Sequence, residues 1–526
     1  MTRRITRKVK RVTVSVGVFA SASALGERLL FAGVGVTTLC LVLGGTAKAG
    51  TAEDCANLAN LVVENTTITS ASLILPGGEL PEYCQVQGHV DTEIGFEVRL
   101  PTDWNEKFYF QGIGGFGGEI LAPGPGLTRG YAAATTDTGH RGLPPLPRRD
   151  ASWALDNPER QINWGHRATH VVTVAAKEIV QAFYGRPPER SYFEGCSNGG
   201  RQGLMEAQRY SADFDGIIAG APAFDWTGNM MGDNWNTQAL QIASIPVNKV
   251  ALLAKVVLAE CDAKDGLRDD LISDPRRCRF NPAELQCRAN DSPNCLTPEE
   301  VQVLRMIYAG PVNSEGKRLY PPVPHGHEDG ADGWPMWITG DGMAPPVGAT
   351  FQDQFLRYFI FGPNYDSLTF DFDTDPPLLA PTGEFINATN SDLSAFETSG
   401  GKLIMWQGWA DPALTPLRTV GYYEEVVEVL GEDTDQFFRL FMAPGVHHCS
   451  GTGPGPNTFD LLTTLENWVE GGMAPDRIIA SHRIGEVVDR TRPLCPYPLE
   501  AQYVGEGSID DAANFVCGRG SDNDEQ

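Results

Sequence analysis

The chain has 526 residues, 41% of them hydrophobic and 21% charged, with a formal net charge of −26. That much apolar sequence can bury a large core, which excludes a disordered chain and points to more than one structural unit. So acidic a balance disfavours nucleic acid and polyanionic substrates as partners, and otherwise serves solubility.

The first ten residues, MTRRITRKVK, are basic, the run Leu29 to Gly45 is apolar, and Ala47-Lys48-Ala49 is a small-x-small cleavage pattern. Residues 1–49 therefore read as an export signal cut after Ala49. An apolar run of 17 residues with four Gly and two Thr is marginal for a spanning helix, so no stable membrane association is expected after cleavage. Arg3-Arg4 lies too far ahead of that run for a clean twin-arginine match, which leaves the export route open. The expected location is secreted or periplasmic. Cleavage removes eight Lys/Arg and one Glu, leaving 33 basic and 66 acidic side chains, a formal charge of −33. Ten of the eleven cysteines remain, and an even number in an exported chain suggests five disulfides. Metal ligation by thiolates would want C-x-x-C pairs, and the sequence has none.

From Leu61 to about Ala221, FEVRLP, KFYFQGIGG, GYAAATTDTGH and SYFEG read as strands, with a long helix around HRATHVVTVAAKEIVQAFYG. Such alternation predicts an α/β domain with a mostly parallel sheet, whose first part is residues 50–223. The sequence then turns Trp-, Pro-, Gly- and Asp-rich, too long and irregular for a loop, and residues 224–391 read as an inserted lid domain. KLIMWQGWADP and QFFRLFMAPGVHH are again apolar strands ending in polar turns, followed by a helical LLTTLENWVEGG. Residues 392–517 thus resume the α/β core, and 518–526 (GRGSDNDEQ) read as a disordered tail.

Gly195-Cys196-Ser197-Asn198-Gly199 fits G-x-S-x-G between the strand SYFEG and the helix GGRQGLMEAQRY, the placement of a nucleophile elbow. The alternative is an ordinary glycine-rich turn. A serine hydroxyl needs a base and the base an orienting acid. Asp411 after one apolar strand, and a histidine after the next, stand in the Ser, Asp, His order of α/β-hydrolases. His447 and His448 compete for the base, whereas His140, His166 and His170 read as structural. A tetrahedral intermediate needs two backbone donors. Asn198 supplies one N–H, and the loop QGIGGFGG supplies the other at Gly115.

Together these residues resemble the tannase and feruloyl esterase family of secreted α/β-hydrolases, over nearly the whole mature chain. The hallmark Cys-Ser, Asp and His-Cys reads here as Cys196-Ser197, Asp411 and His448-Cys449, and the resemblance selects His448 over His447. It implies an α/β-hydrolase core with a large inserted lid, and the disulfides Cys196–Cys449, Cys55–Cys84, Cys261–Cys278, Cys287–Cys295 and Cys495–Cys517. It also implies a structural Ca2+ site in ECDAKDGLRDDLISDPRRC, with carboxylates from Asp262, Asp265 and Asp269 and carbonyls from Leu267 and Leu271. Closely spaced hard oxygens around a Gly turn suit that ion, although no Glu at the twelfth position makes an EF-hand. Without the resemblance an acidic surface turn would be the better reading.

The resemblance implies a carboxylic ester hydrolase acting on small-molecule esters of aromatic acids. Feruloyl or other hydroxycinnamoyl esters are expected first, with gallate esters and mono(2-hydroxyethyl) terephthalate as alternatives. The lid aromatics Trp334, Trp337, Phe351 and Phe355 are candidates to hold an aryl ring, or equally to fill the lid's own core. The stretch MAPPVGATFQDQF lacks the arginine with which the terephthalate enzyme holds its substrate's carboxylate, which leaves a free carboxylate without an obvious partner. Another lid cation, such as Arg357, would have to take that role. A reading of another class, a non-catalytic polyphenol- or carbohydrate-binding protein, is opposed by the intact Ser197, Asp411, His448 set.

Overall fold

A computed structural model describes residues 51–289, 292–449 and 452–520; the expected export signal lies outside the described residues. Nine strands make one sheet: β1 Thr66–Ile74, β2 Tyr83–Val90, β3 Ile94–Pro101, β4 Lys107–Gln111, β5 Ala132–Thr136, β6 Arg190–Cys196, β7 Gly216–Gly220, β8 Lys402–Gly408 and β9 Phe438–Ala443. Their order is β1-β2-β3-β5-β4-β6-β7-β8-β9. From β5 through β4 to β9 every pairing is parallel, while β1, β2, β3 and β5 pair antiparallel. The central strands are short apolar runs because both faces are covered, and β5 and β7 are buried at every position. β1, TTITSASLI, lies at the edge of the sheet and is partly exposed along its length, which hides it from an apolar-run reading.

Two helices bear on the site. α1, Ala168–Tyr184, buries Val172, Ala175, Ala176, Ile179 and Val180 at helical spacing and stops at Gly185, whose φ of +75° is the left-handed cap glycine adopts freely. α2, Asn198–Arg209, packs on β6 and β7. At Gly200 a Cβ would sit 2.5 Å from the Gly220 carbonyl, so glycine permits this approach.

The segment between β7 and β8 carries α3, Trp226–Ala239, α4, Val247–Cys261, α5, Pro298–Ala309, and α6, Val347–Phe355. It is tied to the sheet at its root. Ala223 N–H donates to the Ser197 carbonyl (3.0 Å), and the Asp225 carboxylate, which caps α3, pairs with Arg418 (2.9 Å). After β9 come α7, Leu461–Gly471, and two hairpins, β10 Ile478–Ile484 with β11 Val487–Leu494 and β12 Leu499–Tyr503 with β13 Phe515–Arg519. β13 corrects the expected tail: Gly518 and Arg519 are paired strand residues, Arg519 opposite Leu499, and residues 521–526 lie outside the described ones. No helix among the described residues is long and apolar enough to cross a membrane.

Arg201, fully buried on α2, locks these layers together. Its guanidinium donates to the carbonyls of Trp164 (2.9 Å), Gly165 (2.6 Å) and Ile386 (2.9 Å) and to Asn198 Oδ1 (2.7 Å), and lies over the Trp164 ring. Burial pulls its pKa down to about 9, so it stays protonated at neutral pH. Arg201→Met would strand three buried carbonyls. A loss of about 3 kcal/mol or more is expected in urea unfolding; a variant as stable as the wild type would contradict this account.

Candidate active site

β6 ends at Cys196 and α2 begins at Asn198, so the single residue Ser197 makes the turn, at φ +63° and ψ −125°. A non-glycine residue there is strained and must be held. Ser197 N–H donates to the Gly220 carbonyl, and its own carbonyl accepts from Arg201 and Ala223 (each 3.0 Å). The flanking glycines let backbones meet: a Cβ on Gly195 would lie 2.5 Å from the Gly199 carbonyl carbon. Cys196 is bonded to Cys449, with Cα atoms 5.9 Å apart across 253 residues of sequence. The other four bridges are Cys55–Cys84, Cys261–Cys278, Cys287–Cys295 and Cys495–Cys517.

His448 Nδ1–H donates to Asp411 Oδ2 at 2.8 Å. Asp411 is buried and accepts three further bonds, from Gln407 Nε2 (2.5 Å) and the amides of Ala413 (2.8 Å) and Leu414 (3.0 Å). These donors fix the carboxylate's orientation, and the carboxylate fixes the imidazole tautomer with Nε2 bare. Ser197 and His448 line one cavity of about 630 Å³. His447 turns elsewhere and donates from Nε2 to the His327 carbonyl (2.8 Å).

Gly114 and Gly115 line the same cavity. The amides of Ile113, Phe116 and Gly117 are spent on Gln202 Oε1, the Arg148 carbonyl and the Gly114 carbonyl. Among the described residues nothing accepts from the amides of Gly114, Gly115 or Asn198. Gly115 has φ +59°, and a Cβ there would strike the Arg148 carbonyl at 2.3 Å, so the loop requires glycine. His140 supports it by donating to the Phe116 carbonyl (2.8 Å) and stacking on Trp153.

Of the four lid aromatics, Trp337 and Phe351 line the cavity, and Trp337 packs edge-on against His448 at 4.9 Å. Trp334 and Phe355 do not. Trp334 is buried in the lid against Tyr308, and Phe355, one helical turn beyond Phe351, is wholly buried against Phe359. Arg357 is spent on the Pro363 carbonyl and Asp353 and is not a cavity residue. The sequence reading missed Arg148 and Arg149, in the loop after β5, and one face of α3: Trp226, Asn229, Met230 and Asp233. Arg148 pairs with Glu119 (2.9 Å), whereas Arg149 has no ion-pair partner among the described residues. Arg149 thus places on the cavity wall a cation that the stretch MAPPVGATFQDQF does not supply. The α3 face has helical spacing and was readable; the arginines sit in a loop without periodicity.

In the acidic lid loop, Asp262 and Asp269 are buried, and burial raises both carboxyls, with their acidic neighbours adding to the effect. Arg492 Nη2 offsets this at Asp269 (2.5 Å), while Asp262 and Asp265 have no cationic partner among the described residues. Desolvated carboxylates that repel one another fit a bound cation. They are more widely spread than His170, Glu206 and Asp213, whose ligand atoms lie within 4.8 Å of one another. That second group is a packing network: His170 donates to Asp213 (2.6 Å) and stacks on Tyr210, and burial, with Asp213 beside it, pushes the Glu206 carboxyl well above its ordinary pKa.

The sequence pattern of tannase and feruloyl esterase matches residues 79–518. The chain belongs to the tannase and feruloyl esterase family. It is 38% identical to an uncharacterised esterase of Xanthomonas campestris pv. campestris, over 90% of this chain and 92% of that one. It is 36% identical to the mono(2-hydroxyethyl) terephthalate hydrolase of Piscinibacter sakaiensis, over 83% and 85%. The crystal structure of feruloyl esterase B from Aspergillus oryzae superposes with a TM-score of 0.80 at 26% identity, covering 89% of this chain and all of that one. Family membership makes this chain a carboxylic ester hydrolase.

Two outcomes are expected of variants in this site. Ser197→Ala should lower kcat by several orders of magnitude without unfolding, and His447→Ala should cost far less than His448→Ala. Cys196→Ala with Cys449→Ala should lower kcat even where circular dichroism shows a folded protein, because proton transfer tolerates little misplacement. Full kcat in that folded double variant would reduce the bridge to a staple.

Proposed function

We propose that the protein is a secreted hydrolase of aromatic-acid esters, feruloyl or related hydroxycinnamoyl esters first, acting through an acyl-enzyme on Ser197. The observation that carries this reading is the wall of the cavity beside Ser197 and His448, built from Trp226, Trp337 and Phe351, which suits a flat aryl ring. The likeness to the feruloyl esterase B of Aspergillus oryzae supports the same reading. Five disulfides suit an oxidising compartment.

In the reaction so read, Ser197 Oγ attacks the ester carbonyl while His448 Nε2 takes its proton, and Asp411 steadies the imidazolium. The oxyanion accepts hydrogen bonds from the amides of Asn198 and Gly115, the former aided by the N-terminus of α2. His448 returns the proton to the departing alkoxide, then takes one from water, whose hydroxide cleaves the acyl-enzyme and frees the acid and Ser197.

A second reading, hydrolysis of terephthalate monoesters, is favoured by Arg149 at the cavity and by one named relative. Gallate esters are a third. Comparing kcat/KM for methyl ferulate, methyl gallate and mono(2-hydroxyethyl) terephthalate at one pH decides among them. Ferulate first is expected; terephthalate first would assign the acid's recognition to Arg149.

Calcium belongs to the same proposal, held by Asp262, Asp265 and Asp269 with the carbonyls of Leu267 and Leu271, as a staple that takes no part in the chemistry. An ion that binds only the native state stabilises it by about 2.7 kcal/mol when free ion is a hundredfold above Kd. Chelation should lower Tm and leave kcat unchanged below the transition. Superimposable melting curves, with no calcium found by elemental analysis, would contradict the site.

A further inference from the structure

One wall of the cavity carries two polar groups that the ester chemistry does not use. Trp226, Asn229, Met230 and Asp233 project from one face of α3, and Val347 and Phe351 of α6 stand near them in the same cavity wall. The two helices are close because residue 348 is glycine: a Cβ there would sit 2.7 Å from Asp233 Oδ1. The result is a mainly apolar wall that includes an amide and a carboxyl.

We propose that Asp233, with Asn229, binds a phenolic hydroxyl on the ring of the substrate's acyl group and so determines specificity; the inference rests on the aromatic-ester reading above. Asp233 is 9% exposed, yet its carboxyl makes one long side-chain bond, from Asn229 Nδ2 to Oδ2 at 3.3 Å. Among the described residues Oδ1 accepts from no donor and no cation pairs with the group. One turn on, Thr237 Oγ1 donates to the Asp233 main-chain carbonyl (2.7 Å) and not to its carboxyl. Burial pushes this carboxyl well above its ordinary pKa, which favours the protonated form, able both to donate and to accept. A phenol also does both, and two neutral partners pair without burying a charge. A ring lacking the hydroxyl would leave the carboxyl's capacity unfilled, which is how a polar site rejects an apolar analogue.

The test is kcat/KM for the methyl esters of 4-hydroxycinnamate, 4-methoxycinnamate and cinnamate, with wild type, Asp233→Asn and Asp233→Leu. The ratio of hydroxylated to unhydroxylated ester is internal to each protein, so differences in folded fraction cancel. Wild type is expected to favour the hydroxyl by about tenfold or more over either analogue. The ratio should fall to about one in Asp233→Leu and part of the way in Asp233→Asn, which decides alone if the leucine variant does not fold. Variants that keep the wild-type ratio would overturn the assignment to Asp233. A wild type indifferent to the hydroxyl would overturn the inference and leave the esterase reading standing. A wild type that hydrolyses p-nitrophenyl acetate but none of the three aryl esters would overturn both.

Discussion

The structure turns on one strained residue. Ser197 occupies the left-handed region with an extended-range ψ, a conformation that costs of order 1–3 kcal/mol for a residue with a side chain. It persists because its neighbours over-determine it. Hydrogen bonds from β7 and the root of the lid hold its amide and carbonyl, glycines let the adjoining backbones close in, and the bridge from Cys196 to Cys449 anchors the strand end. Without that turn the hydroxyl would not stand clear of the sheet at the head of α2, where the amides of a helix start are unspent.

The same restraints carry the base and the pocket. Cys449 follows His448 directly, so the bridge that steadies the nucleophile also ties down the base, while Asp411 holds the ring from the other side. Ala223, bonded to the Ser197 carbonyl, begins the lid, and α3 starts three residues later. The wall that meets an acyl group is therefore registered to the nucleophile through a few main-chain bonds. Arg201 couples the two again, since it grips Asn198 beside the nucleophile and the Ile386 carbonyl near the end of the lid segment.

Much of this could be read from the sequence where the pattern is local. Strand, G-x-S-x-G and helix are contiguous, so the elbow announces itself, and the order Ser197, Asp411, His448 follows from strands whose apolar runs are short and buried. Other features depend on which way a side chain faces. Phe351 and Phe355 differ by one turn of α6, yet one meets the cavity and the other the lid core, and no periodicity separates them. Arg149 and Arg148 occupy an irregular loop whose position is set by tertiary contacts. Asp233 looks like an ordinary helix-surface acid until the segment from 340 to 355 is seen to close over it. β1 and the C-terminal hairpins are sparsely apolar, since sheet edges and ribbons need little burial to hold.

Covalent capture of the nucleophile tests the central claim most directly. The native enzyme, treated with an aryl phosphonate directed at active serines, should gain one phosphonyl group, and peptide mapping should place it on Ser197. Labelling at another residue, or none in an enzyme that still hydrolyses esters, would contradict the mechanism built on this turn.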